Sequence, residues 1–142
     1  MKTITNFLLK YAKIALLKNS KGDEMNYPKA IGPYSAFYWA GDLLFCSGQI
    51  PLDPNTGEVV GTSAKEQAKQ ALSNVAGLLE ANNLSVKNVV KTTVFLTDIA
   101  DFAAVNEVYG EFFAEPYPAR SCVAVAALPK GVKVEVEIIA KK

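Results

Sequence analysis

Apolar and polar residues interleave along this chain with two periods, and the switches between them mark its elements. Near the C-terminus, Val132, Val134, Val136 and Ile138 alternate with Lys133, Glu135 and Glu137, the two-residue period of a strand with one buried face. Upstream, Ala68, Ala71, Leu72, Val75, Leu78 and Leu79 recur at helical spacing. Ser63-Ala64-Lys65-Glu66 opens that helix as a capping box, and Asn82-Asn83 ends it. A second helix is predicted where Phe102, Val105, Tyr109 and Phe112 share a face, with Asp98 or Asp101 as its cap and Pro116 and Pro118 as its stop.

Four further extended segments surround these helices. Phe37–Ala40 and Leu43–Ser47 read as strands joined by Gly41-Asp42, a tight hairpin signal. Residues 48–61 hold Pro51, Pro54, Asn55 and Gly57, and are predicted as loop with a short extended piece near Val59. Val89–Thr97 is rich in β-branched residues and reads as a buried strand. Ser121–Ala127 is the next strand, and Leu128-Pro129-Lys130-Gly131 turns into the last. The order ββαβαββ predicts an α+β fold, a mixed sheet with two helices on one face. Its other sheet face then needs cover, for which closed homo-oligomeric symmetry is the common solution. No internal repeat is present.

Composition narrows the chemistry. The 142 residues suit one domain, and the absence of histidine excludes Ser-His-Asp and Cys-His catalysis and the usual zinc ligand sets. Cys46 and Cys122 have neither metal-site nor secretory spacing, so free thiols in a reducing cytoplasmic setting are expected. No metal or cofactor is called for, and no run approaches the length of a membrane span.

Residues 1–24 form an N-terminal extension to a single domain at 25–142, with five lysines against Asp23 and Glu24. Three readings stand for it: a basic amphipathic helix, a targeting segment, or sequence upstream of a natural start at Met25. The third is preferred, because Lys21-Gly22-Asp23-Glu24-Met25 is what a purine-rich ribosome-binding stretch encodes when read in frame. Without that segment the formal charge is about −2, and a slightly acidic domain does not match a nucleic-acid binder.

One arginine, Arg120, stands among fourteen lysines, in the run Tyr117-Pro118-Ala119-Arg120-Ser121-Cys122. Its planar fork can grip a carboxylate or phosphate through two parallel bonds, which lysine cannot do. Tyr34-Ser35, Ser47-Gly48-Gln49, Arg120 with Cys122, and Glu137 all stand where strands begin, end or turn. Each also has a plain structural reading: Tyr34 packing at a turn, Ser47 closing a strand, Glu137 on a solvated charged face. Asn106, on the second helix near Tyr109, reads equally as a surface residue or a buried hydrogen-bonding one.

From about Tyr27 to Ala140 the chain resembles the reactive intermediate deaminase (RidA/YjgF/UK114) family. Six separated motifs carry the resemblance in order. They are Ala30-Ile31-Gly32-Pro33-Tyr34-Ser35 with Phe45-Cys46-Ser47-Gly48-Gln49-Ile50-Pro51, then Val90-Lys91-Thr92-Thr93-Val94-Phe95-Leu96-Thr97-Asp98, Asp101-Phe102 through Val105-Asn106, Pro118-Ala119-Arg120-Ser121-Cys122-Val123, and Val134-Glu135-Val136-Glu137. The resemblance implies a chorismate-mutase-like subunit in a homotrimer, with clefts between subunits. It implies hydrolysis of 2-imino acids, derived from 2-aminoacrylate-type enamines, to 2-keto acids and ammonia. Arg120 matches the carboxylate-binding arginine, Glu137 the residue thought to handle water, and Tyr34, Ser47, Asn106 and Cys122 the pocket. Phe37-Tyr38-Trp39 departs, being more aromatic than the family's pattern there.

The residues suit that chemistry, since a protonated imine needs only a held carboxylate, a placed water and a group to move protons. Two other classes compete. The same cleft can bind a keto acid or amino acid and signal without turnover, a reading Arg120 serves equally. A ribonuclease, an activity ascribed to some relatives, fits poorly with one arginine and no histidine.

Overall fold

The computed structural model describes residues 26–142; the expectations for the N-terminal extension lie outside the described residues. The element order is β1 Phe37–Ala40, β2 Leu43–Gln49, α1 Ala64–Ala81, β3 Val89–Leu96, α2 Phe102–Phe112, β4 Ala119–Ala124 and β5 Val134–Lys141. The sheet runs β1-β2-β5-β3-β4. Only the β3–β4 pair is parallel, and the other three pairs are antiparallel. This is the mixed α+β architecture that the alternation of periods predicts.

Gly41 takes a φ of 61° in the two-residue link between Ala40 and Leu43, a left-handed conformation that costs a glycine nothing. At the start of α1 the capping box is complete. The Glu66 backbone N–H donates to Ser63 Oγ at 3.2 Å, while Glu66 Oε2 accepts from the backbone N–H groups of Ser63 and Thr62 at 3.1 and 2.8 Å. Those two N–H groups hold the Glu66 carboxyl below its ordinary range. All six apolar residues of the predicted α1 stripe are buried, as are Val105, Tyr109 and Phe112 of α2. Phe102 departs from that face and stays exposed.

Both helices cover one face of the sheet. Leu44, Thr92, Val94, Leu96, Val134, Val136, Ile138 and Ala140 point into the core beneath them. Asp98, not Asp101, supplies the cap, and it serves the short 3-10 turn Ile99–Asp101 that leads into α2. Strand β4 begins two residues earlier than its apolar run suggests, because parallel pairing with β3 starts at Lys91–Ala119 and takes Arg120 into the sheet.

Buried amides fasten the loop after β2. Asn74 is fully buried on α1, and its Nδ2 donates to the carbonyls of Ile50 and Leu52 at 3.1 and 2.9 Å. Gln67 Nε2 donates to the Gly61 carbonyl, and its Oε1 accepts from the Lys133 backbone N–H at 2.7 Å. Asp53 Oδ1 accepts from the N–H groups of Asn55 and Thr56, and Leu52 bridges Val59, the short extended piece expected there. Among the described residues, no helix is long and apolar enough to cross a membrane.

Candidate active site

The strand register decides which candidate residues can meet. Arg120 pairs with Thr92, which in turn pairs with Ile138. Thr92 and Ile138 are buried under the helices, so Arg120 projects toward the helical face. Glu137 pairs with Thr93 and Glu135 with Phe95, one step out of phase, which turns both carboxylates to the opposite face.

On the helical side, β4 is the edge strand and Arg120 remains exposed. Its Nη1 donates to Asn106 Oδ1 at 2.7 Å. Its guanidinium carbon lies 4.5 Å from the centre of the Tyr109 ring and 5.6 Å from that of Phe102. Asn106, Tyr109, Gly110, Tyr117, Pro118 and Arg120 line an open cavity of about 460 Å³. Arg120 thus lines the cavity, and among the described residues no carboxylate pairs with it. Cys122 follows two residues along the same face, half-buried against the core. Burial pushes its thiol pKa up, an effect the nearby Arg120 charge partly offsets. Cys46, a free thiol in the core, is pushed up to about 12 by burial.

A second group gathers where β2 meets the segment before β1. Ser47 Oγ donates to the Ser35 carbonyl at 2.6 Å, and the Ser47 backbone N–H donates to Ala36. The half-exposed Tyr34 turns its hydroxyl back to accept from the Ile31 N–H at 3.3 Å. Beside Ser47 the sheet register shifts between Cys46 and Gln49, and the carboxylate of Glu135 lies against Gly48. A Cβ at position 48 would overlap that carboxylate, which is a reason for glycine there. Burial raises the Glu135 pKa, and repulsion from Glu137 adds to it. Glu137 itself is exposed.

Arg120, Asn106 and Cys122 therefore form one cluster, Tyr34 and Ser47 with Gly48 another, and Glu137 joins the second through its sheet face. Glu135 and Tyr109 were not singled out as site residues from the sequence. Glu135 carried two signals, its place in the run Val134-Glu135-Val136-Glu137 and a glycine following Ser47, whose significance depends on a cross-strand contact. Tyr109 carried a spacing signal, three residues after Asn106, but that spacing also describes core packing.

Comparison with known proteins adds to this geometry. A family model described as Endoribonuclease L-PSP matches residues 24–142. The 2-iminobutanoate/2-iminopropanoate deaminase of Escherichia coli K12 is 52% identical over 118 residues, covering 81% of this chain and 91% of that protein. The chain belongs to the RidA/YjgF family. Two solved members of similar fold are a putative endoribonuclease from Thermotoga maritima and E. coli TdcF with bound serine. The Thermotoga protein has a TM-score of 0.80 at 49% identity, covering 84% of this chain and 94% of its own. TdcF has a TM-score of 0.78 at 48% identity, covering 84% and 96%. The RidA/YjgF relatives thus carry both deaminase and endoribonuclease names.

Proposed function

We propose that this protein hydrolyses 2-imino acids to 2-keto acids and ammonia, acting as a homotrimer in the cytoplasm. The observation that carries the reading is Arg120, whose fork is oriented by Asn106 and opens onto a cavity, in a chain 52% identical to a 2-iminobutanoate/2-iminopropanoate deaminase. A carboxylate seated on that fork places the adjacent imine carbon at the cavity that Asn106, Tyr109 and Pro118 line; Cys122, two residues along β4 and outside that lining, takes no nucleophilic part.

The rest of the chemistry needs a water and a proton carrier. Water adds to the imine carbon; the C=N π pair moves to nitrogen, which ends as an amine, and water gives up a proton. That proton returns to the amine nitrogen, the C–N bond breaks with its electrons leaving on ammonia, and the carbinol oxygen loses its own proton as it closes the keto group. Glu137 is the residue the family resemblance marks for this role. The geometry favours its neighbour Glu135: half-buried, held against Gly48, with a pKa raised toward working pH, as a group that both takes and returns a proton requires. Ser47 and Tyr34 orient water or substrate from the same side.

Because these two groups occupy opposite faces of one sheet, a complete site requires Arg120 of one subunit beside the Glu135 side of a neighbour. The half-exposed sheet face supports such assembly, since Tyr38 is 70% and Phe45 43% exposed there. The test is keto-acid formation from 2-iminobutyrate generated in situ by a threonine dehydratase. Acceleration over the buffer rate is expected. No acceleration, together with measurable binding of 2-ketobutyrate, would leave the second reading, a ligand-binding module, which the serine bound to TdcF favours.

A further inference from the structure

We infer that Tyr109 is a positioning residue for Arg120, and that its ring sets the direction in which the guanidinium fork meets a carboxylate. Arg120 projects from an exposed edge strand on a side chain with several free torsions, so nothing in β4 itself fixes its head group. Two contacts do. Asn106 Oδ1 takes one Nη1 hydrogen at 2.7 Å, and the Tyr109 ring lies 4.5 Å beneath the guanidinium carbon. Asn106 and Tyr109 are three residues apart on α2, so one helical turn presents both the acceptor and the platform. A single hydrogen bond leaves rotation about its own axis; a ring below the plane removes it.

The platform is itself immobilised. Tyr109 is only 5% exposed, its ring stacks on Phe113 at 4.6 Å between centres, and its hydroxyl is 2.8 Å from the Oγ1 of the fully buried Thr92. Thr92 is the residue that pairs with Arg120 in the sheet. Strand, helix and arginine thereby close a loop of contacts: β3 holds the Tyr109 hydroxyl, Tyr109 holds the guanidinium, and β4 returns to β3 at the same register. A tyrosine whose hydroxyl served only to satisfy the core would not need a cation on its other face. Its pKa is raised by burial, with Thr92 and the Arg120 charge acting in the opposite sense.

The chain's single arginine makes the test direct, because every guanidinium signal in an NMR spectrum of the full chain belongs to Arg120. In the wild type, the side-chain signals of Arg120 should be displaced upfield by the Tyr109 ring current, and rotation about Nε–Cζ should be slow enough to separate the Nη resonances. Tyr109→Leu should collapse them to one averaged signal and raise KM for 2-iminobutyrate about tenfold, with kcat within about twofold. Tyr109→Phe, which keeps the ring, should restore both. The kinetic arm rests on the deaminase reading; the spectroscopic arm and the dissociation constant for 2-ketobutyrate do not. Averaged, undisplaced Arg120 signals in the wild type would overturn the inference with no variant needed. So would a folded Tyr109→Leu protein that keeps the separated signals and the wild-type affinity for 2-ketobutyrate.

Discussion

Arg120 and Glu135 stand on opposite faces of the same sheet: Arg120 is in register with the buried Thr92, and Glu135 with the outward-facing Phe95. Because adjacent residues of β3 point to opposite sides, no side-chain movement within one subunit brings the anchor and the carboxylate together.

Complementation between impaired variants follows from that separation. Arg120→Lys and Glu135→Gln proteins should each keep no more than about a hundredth of wild-type activity alone. Co-refolded in equal amounts, they should regain roughly a quarter of wild-type activity, the share of interfaces pairing an intact Arg120 with an intact Glu135 under random assembly. Sedimentation should show the mixed species as trimers. Zero recovery from properly assembled trimers would place the whole site within one subunit.

Arg120→Lys should lower kcat/KM for 2-iminobutyrate about a hundredfold while leaving the melting temperature within about a degree, since the side chain is exposed and only its fork geometry is lost. Equal activity in the two proteins, measured in the coupled keto-acid assay, would remove Arg120 from substrate binding.

The pH dependence of stability should report on Glu135. Its folded pKa lies above the ordinary value of 4.5, chiefly because it is desolvated. Between those two values the folded chain binds more protons than the unfolded one, so stability falls as pH rises through the window. Glu135→Gln abolishes this titration. The variant should therefore gain in melting temperature over the wild type on going from about pH 4 to about pH 7, and an offset that is constant across that range would contradict the assignment.

Asn74→Leu tests the anchor of the loop after β2. Leucine fills similar space but removes the Nδ2 donor from both carbonyls, leaving Leu52 with Gln70 Nε2 and Ile50 with the Leu52 backbone N–H. A loss of about 2–4 kcal/mol is expected from urea unfolding. Activity should fall as well, because that loop continues directly from Ser47-Gly48-Gln49.

Most elements were legible in the chain because their signals are local. The α1 stripe, its capping box, the Gly41-Asp42 hairpin and the alternation of β5 each depend on residues within one or two turns of each other. The start of β4 was less legible, since Ala119 and Arg120 enter the sheet only through their pairing with β3. Phe102 was assigned to the buried face of α2 by spacing, yet it lies at the exposed edge, beside the Arg120 guanidinium.

The amino-acid sequence by itself determined the element order, the absence of any histidine-based chemistry, and Arg120 as the one residue with a carboxylate-gripping fork. Only the tertiary structure decided which face each strand residue occupies. A shift of one position in pairing reverses every side chain, and pairing is set by contacts distant in sequence. That parity separates Glu135 from Arg120 and lays the Glu135 carboxylate against Gly48. It also brings Thr92 to the Tyr109 hydroxyl, under the ring on which Arg120 rests.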